Sequence, residues 1–380
     1  MANQQYNNQK KPLKYSKNSI DKAAKEIRHG IQGAERQDAI VKIQSFREFH
    51  LYPLMLLKNH LARTSNKVSN KIIVARRLKR LSTIIDKLER PTLDGQGSNA
   101  IKLTRMQDIA GCRAIVKNLT QLKKLQRKLE QSRSVHQIIN TKDYLTCPKK
   151  SGYGGIHLVY SCYEGQKEGH EWKKAKVEVQ LRTELQHAWA TSLEIIDTLE
   201  HTKLKTRTEG DQKWRRFFEL AGKLVAHEEK ACRIEDEKEL LQLRVELSDL
   251  NDELEVIAKL ARYSMAITFT TEKENPKPFK NGQGFFLTCI HKPVDGKPPT
   301  VSVEFFPLKL SDQALKKLNE SDLDTTILVA VLVAASDVRA LKQAYPNYFG
   351  STRKFRDFLS KQNEAVYVAR KKIQLELEIG

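Results

Sequence analysis

Residues 176–183 read KVEVQLRT, with Val177, Val179 and Leu181 alternating with Glu178, Gln180 and Arg182. Successive side chains of a strand point to opposite faces. This stretch therefore has one apolar face to bury and one face that lines up a carboxylate, an amide and a guanidinium. Immediately after it, TELQHAWATSLEIID (183–197) changes to helical spacing. A half-apolar strand running into a helix needs neighbours, and the sequence supplies them. GCRAIV (111–116) and IHLVYSCYE (156–164) read as strands, and LTQLKKLQRKLEQS (119–132) as an amphipathic helix. The order strand, helix, strand, strand, helix predicts a mixed α/β sheet flanked by helices.

The rest of the chain divides around that unit. Residues 1–45 form a basic, partly helical N-terminal region, and 46–215 form the domain with the sheet. Residues 216–264, rich in Glu, Lys and Leu, read as a helical connector, one long helix or a helical hairpin. In 265–380 short strands (AITFTT, GFFLTCI, TVSVEFFP) alternate with turns and helices, as expected of a small α+β domain. The run ILVAVLVAA (327–335) falls short of the ~20 residues that span a bilayer and reads as a buried strand. The polar N-terminus has no apolar core of the signal-peptide kind. Five cysteines without a CxxC pair fit a reducing compartment. The expected location is cytoplasmic, with no membrane partner. A balance of 67 Lys+Arg against 46 Asp+Glu, or +21, points to a polyanion: nucleic acid, nucleotide phosphates or an anionic surface.

Four segments concentrate polar side chains beyond what structure alone requires. ARRLKRLSTIIDKLER (75–90) has two readings: a helix with a solvated basic face, or a strand then a helix, placing Arg77 and Lys79 on one strand face as a phosphate clamp. In RMQDIAGCRAIV (105–116), Asp108 stands just before a strand and Arg113 inside it. A carboxylate there suits Mg²⁺, although Asp also begins ordinary turns. KDYLTCPKKSGYGGIHLVY (142–160) sets Lys142, Lys149, Lys150, Tyr153 and His157 around a glycine-rich turn, where backbone can approach a ligand. The fourth is the opening strand together with His187, which by spacing alone is a helix-surface histidine.

Over about residues 70–200 these segments resemble the synthetase domain of the RelA/SpoT family of alarmone synthetases. The matching motifs are R-x-K-x₇-K (Arg77, Lys79, Lys87), D-x-x-G-x-R (Asp108, Gly111, Arg113), KDY-x₃-PK-x₂-GY-x₂-IH and VEVQLRT-x₃-HAWA. The resemblance implies a nucleotidyltransferase-like sheet and transfer of the β,γ-pyrophosphate of ATP to a ribose 3′ hydroxyl. It implies Mg²⁺ as cofactor, with Asp108 and Glu178 as metal ligands and Glu178 beside the attacking hydroxyl. Arg77, Lys79, Lys87, Arg113, Gln180, Arg182 and His187 then belong to the ATP side. Lys142, Lys149, Lys150, Tyr153 and His157 belong to the acceptor side.

Two departures refine the expectation. Gly154 and Gly155 stand where makers of guanosine tetraphosphate carry Arg-Ser, and no His-Asp dipeptide of the hydrolase half is present. The chain thus resembles toxic small alarmone synthetases, which modify the 3′ CCA end of tRNA and stop translation. YPNYFG (345–350) in the C-terminal region resembles the fused antitoxin of CapRel-type toxin–antitoxin proteins. That implies an intramolecular inhibitory contact through Tyr345 and Tyr348, released by a phage protein such as a major capsid protein. The competing expectations are an alarmone synthetase with a free nucleotide acceptor, and an RNA-binding protein on a degenerate synthetase fold.

Overall fold

A computed structural model describes residues 7, 9–89, 102–146, 148–165, 170–200, 202, 204, 211–261, 284–294, 299–335 and 352–379. The chain begins with three helices, α1 (Lys17–Arg28), α2 (Gly33–Phe49) and α3 (Leu51–Asn66). The Ser16 hydroxyl caps α1 by accepting the Ser19 amide. Pro53 is tolerated in the first turn of α3, where no intrahelical donor is required. β1 (Ile73–Leu78) and α4 (Leu81–Glu89) follow, so the 75–90 segment is strand then helix.

The chain continues through β2 (Ala110–Val116), α5 (Leu119–Glu130), β3 (Gln137–Asp143), β4 (Ile156–Ser161), β5 (Lys176–Thr183) and α6 (Glu184–Leu199). The Thr183 hydroxyl and the Gln186 amide form a capping box, which is why β5 turns into α6 without a loop. α7 (Gln212–Glu228) and α8 (Glu237–Leu254) form the helical hairpin. The C-terminal region supplies β6 (Gly284–His291), β7 (Val301–Pro307), α9 (Ser311–Leu323), β8 (Ile327–Ala335) and α10 (Arg353–Ile379).

The eight strands among the described residues form one sheet in the order β3-β4-β5-β2-β1-β8-β6-β7. β5 lies parallel to β2 and antiparallel to β4. The C-terminal strands join through β8, which pairs antiparallel with β1 and sets Val333 opposite Arg77. The mixed α/β sheet with flanking helices is thus present, and β6, β7 and β8 extend it. α3 and α5 cover its apolar face, burying Leu54, Leu57 and Leu125 against Cys112, Leu158 and Val179. On this face Val177, Val179 and Leu181 are at most 1% exposed.

A second core joins α6, α7 and α8 to α10, where Phe355, Phe358 and Leu359 meet Trp214, Phe217 and Phe218. A third binds α1 and α2 to α4 through Ile20, Ile27, Phe46, Ile84 and Leu88. β3 was not expected: its Ile138 and Ile139 are adjacent and break alternation, as an edge strand permits. The AITFTT strand and Tyr345 and Tyr348 lie outside the described residues. Among the described residues no helix is long and apolar enough to cross a membrane.

Candidate active site

Strand register assembles the polar face. Arg77 pairs with Gly111, Gly111 with Glu178 and Glu178 with Val159. Two residues along, Arg113 pairs with Gln180, Gln180 with His157 and His157 with Lys142. Paired residues, and those two apart on one strand, share a face. One surface therefore carries Arg77, Arg113, Glu178, Gln180, Arg182, His157 and Lys142. Gly111 leaves a gap between Arg77 and Glu178. A pocket of ≈ 90 Å³ opens there, walled by Arg77, Lys79, Asp108, Arg113, Glu178 and Gln180. That volume takes a hydrated cation or one phosphate, so the rest of a nucleotide would lie across the mouth. Cys112 turns its thiol to the other face, toward the Leu54 carbonyl, and burial pushes it up to about 12, which removes it as a nucleophile.

Asp108 is gripped from two sides. Lys79 Nζ donates to Oδ2 at 2.9 Å, and Lys87 Nζ donates to Oδ1 at 3.1 Å and Oδ2 at 3.2 Å. Burial pushes the Asp108 carboxyl up, but the two ammonium groups together outweigh it and hold it below the usual carboxylate range. The Lys79 ammonium is itself lowered, chiefly by burial, with Asp108 opposing.

Glu178 sits in a closed ring of hydrogen bonds. Arg182 Nε donates to the Tyr153 hydroxyl at 2.9 Å, and Tyr153 Oη and His157 Nε2 are 2.6 Å apart. His157 Nδ1 lies 2.8 Å from Glu178 Oε1, and Gln180 Nε2 donates to Oε2 at 2.7 Å. Arg182 Nη2 closes the ring by donating to Gln180 Oε1 at 3.0 Å. One proton assignment satisfies every link with a neutral imidazole: Tyr153 donates to Nε2, and Nδ1–H donates to an ionised Glu178. Burial lowers His157, which keeps the ring neutral. Burial also pushes Glu178 up, but the bonds from His157 and Gln180 prevail and keep it below its ordinary value.

The acceptor-side residues gather less tightly. Lys149 lies over the Tyr144 ring at 4.3 Å and the Tyr153 ring at 5.2 Å, and Arg182 covers Tyr153 at 4.9 Å. Lys142 and Lys150 are exposed nearby. His187 is buried rather than on a helix surface, with Nδ1 3.5 Å from Arg113 Nη1. Three neighbours escaped the sequence reading. Tyr144 stacks edge-on with Tyr153 and His157, Trp189 meets Tyr153, and Gln186 lies beside Gly154. Tyr144 had a signal, since it stands inside the KDY motif. Trp189 and Gln186 had only their place in the helix after β5.

Among the described residues there is no cluster of three or more His, Cys, Asp or Glu that would hold a metal alone. Asp108 and Glu178 still fit a hard divalent cation. Ionised carboxylates offer about four lone-pair sites each, and the contacts above leave one or two on each group. Mg²⁺ keeps waters and takes its remaining ligands from phosphate, so two carboxylates suffice.

Residues 76–196 match the family model described as "Region found in RelA / SpoT proteins". Among solved structures, small alarmone synthetase 1 from Bacillus subtilis bound to its product pppGpp is 24% identical. The match covers 47% of this chain and 88% of that one, with a TM-score of 0.36. A GTP pyrophosphokinase family protein from Streptococcus pneumoniae is 22% identical, covering 47% and 85%, with a TM-score of 0.33. Small alarmone synthetase 2 from Bacillus subtilis is 22% identical, covering 47% and 89%, with a TM-score of 0.35. No curated protein sequence matches the chain.

Proposed function

We propose that this chain is a pyrophosphokinase that moves the β,γ-pyrophosphate of ATP to the 3′ hydroxyl at the CCA end of tRNA. The observation that carries the reading is the pairing of two ionised carboxylates, Asp108 and Glu178, across a pocket ringed by Arg77, Lys79 and Arg113. A binding protein gains nothing from holding two carboxylates charged among phosphate-binding cations, whereas phosphoryl transfer needs both. Arg77, Lys79, Lys87 and Arg113 hold the triphosphate. Asp108 and Glu178 would hold a Mg²⁺, which would offset the charge of the phosphates. Glu178, with a lone pair left over from its ring, accepts the proton of the attacking hydroxyl. The hydroxyl oxygen bonds to the β-phosphorus, the bond to the α-phosphate oxygen breaks, and AMP leaves. His157, Tyr153 and Arg182 keep Glu178 aimed and charged.

The tRNA acceptor is favoured by the +21 balance, by exposed Lys142 and Lys150 beside the site, and by Gly154 and Gly155 in place of bulkier side chains. Tyr345 and Tyr348 close the site in the resting protein, and a phage protein binding the C-terminal region releases it. Translation arrest then limits infection.

The test offers γ-labelled ATP and either deacylated tRNA or GDP to the full chain and to a Tyr345→Ala, Tyr348→Ala variant. Label on tRNA that rises in the variant is expected. Label on GDP alone would make the protein a nucleotide alarmone synthetase. Equal activity of both chains would remove the tyrosine lid.

A further inference from the structure

The two lysines on Asp108 depend on residues far outside the RelA/SpoT region at 76–196. Lys79 sits in the turn from β1 to α4, and Lys87 on α4. The Lys79 amide donates to Ile109 O at 2.8 Å, and its carbonyl accepts from Arg47 Nε at 2.8 Å. Arg47, in the last turn of α2, is 1% exposed. Its Nη2 lies 3.6 Å from Asp322 Oδ2, the carboxylate itself being 2% exposed on α9 of the C-terminal region. Burial pushes the Asp322 carboxyl up, while the Leu81 backbone amide, at the start of α4, also faces it and favours its ionised form. Arg47 Nη1 reaches Asn319 Oδ1 at 3.3 Å, and Gln44 bonds the same Asn319.

We infer that Arg47 and Asp322 form a positioning clamp that fixes the β1–α4 turn and sets Lys79 and Lys87 on Asp108, making the C-terminal region part of the competent ATP site. A buried ion pair is poor evidence of stabilisation, because desolvating two charges offsets most of their attraction. This pair does something more specific. Arg47 holds the carbonyl of Lys79, and its partner Asp322 faces the start of the helix that carries Lys87. The clamp rests on the reading of these lysines as triphosphate ligands, but its mechanical half can be measured without ATP.

The test uses the full chain with the apolar pair Arg47→Met, Asp322→Leu, which leaves no lone buried charge. Expected are a melting temperature near the wild type, amide exchange of residues 79–89 about tenfold faster while the rest of the sheet is unchanged, and Mg²⁺-dependent ATP affinity down about tenfold, with acceptor KM unmoved. Unchanged exchange at 79–89 refutes the clamp. Faster exchange with unchanged ATP affinity refutes its link to the site. Should that variant misfold, Arg47→Gln, Asp322→Asn keeps polar groups at both positions without the charges, and its exchange at 79–89 should be faster and its ATP affinity lower than the wild type's. Identity with the wild type overturns the proposal. If the wild-type chain itself binds no ATP, the functional reading fails, and exchange at 79–89 still decides the clamp.

Discussion

Gly222→Ala tests how the acceptor turn is held. α7 and the turn before β4 meet backbone to backbone. A Cβ on Gly222 would lie 2.0 Å from Gly152 O and 2.4 Å from Gly152 Cα. From the other side, a Cβ on Gly152, whose φ is +81°, would meet Phe218 O at 2.6 Å and Glu219 O at 2.8 Å. Contacts under 3.0 Å are not sustained, so one added methyl must part helix and turn by about 1 Å. Overpacking of this kind costs ~1–3 kcal/mol. At ~2.1 cal/mol/K per residue the chain unfolds with ~0.8 kcal/mol/K, so the melting temperature should drop by ~1–4 °C. The functional effect is larger. Tyr153 follows Gly152 directly, and a 1 Å displacement takes its 2.6 Å contact with His157 beyond hydrogen-bond range. Misplacement on that scale costs up to about 100-fold. Steady-state kinetics should show kcat/KM for the acceptor falling by 10- to 100-fold, while ATP affinity in the absence of acceptor is unchanged. Gly154→Ala is the control, since its Cβ meets nothing nearer than the flexible Gln186 side chain at 3.7 Å. A Gly222→Ala enzyme with wild-type stability and acceptor kinetics would refute the argument.

Three further outcomes are expected. Glu178→Gln should lower transfer by ~10²–10⁴-fold with the fold intact by circular dichroism, because the amide cannot take the hydroxyl proton; near-normal turnover would exclude Glu178 as the base. Exchanging the turn glycines should split: Gly154→Arg is accommodated at its Cβ, whereas Gly155→Ser is strained by φ +132° and by Leu181 O at 3.1 Å. Denaturant titration should find the second less stable, and GDP use is therefore best sought in the Gly154→Arg single variant. Acid should destabilise the protein through His50, which is 2% exposed and lowered by burial to about 4 from 6.5. The unfolded state binds the proton first, so this contribution is complete above pH 6.5 and is lost as pH falls toward 4, on the order of 3 kcal/mol. A stability–pH curve for His50→Gln should be flatter in that window, and an unchanged slope would exclude the histidine.

The part of the site that could be read in the sequence is the part built by local geometry. Glu178, Gln180 and Arg182 share a face because β5 alternates, and no distant contact is needed to say so. Arg77 was ambiguous because Val74, Leu78 and Leu81 fit a helical stripe as well as a strand end. The strand prevailed because β2 and β8 pair with β1 on both sides and Arg76 turns under the sheet toward Phe285. The grip of Lys79 and Lys87 on Asp108 was not legible beyond the motif, since Lys79 lies past the strand end and its direction comes from the turn. Arg47 gave no signal at all: one arginine in a helix reads as a solvated charge until Asp322, Asn319 and the Lys79 carbonyl are folded around it.

The β1–β8 junction also changes what a truncation experiment can mean. A chain cut after α8 would lose β8 from the edge of β1, the strand of Arg77, and would lose Asp322 from the N-terminus of α4. It would expose a row of unpaired backbone groups beside the pocket and loosen the turn that aims Lys79. Low activity in such a fragment would then report damage to the ATP site, even if the removed region also restrains the enzyme. Point substitution at Tyr345 and Tyr348, the proposed lid, changes neither β8 nor Asp322. A fragment less active than the wild type, alongside a double-tyrosine variant more active than it, is the combination expected if one C-terminal region both completes the site and closes it. A fragment as active as the tyrosine variant would show that β8 and Asp322 contribute nothing to catalysis.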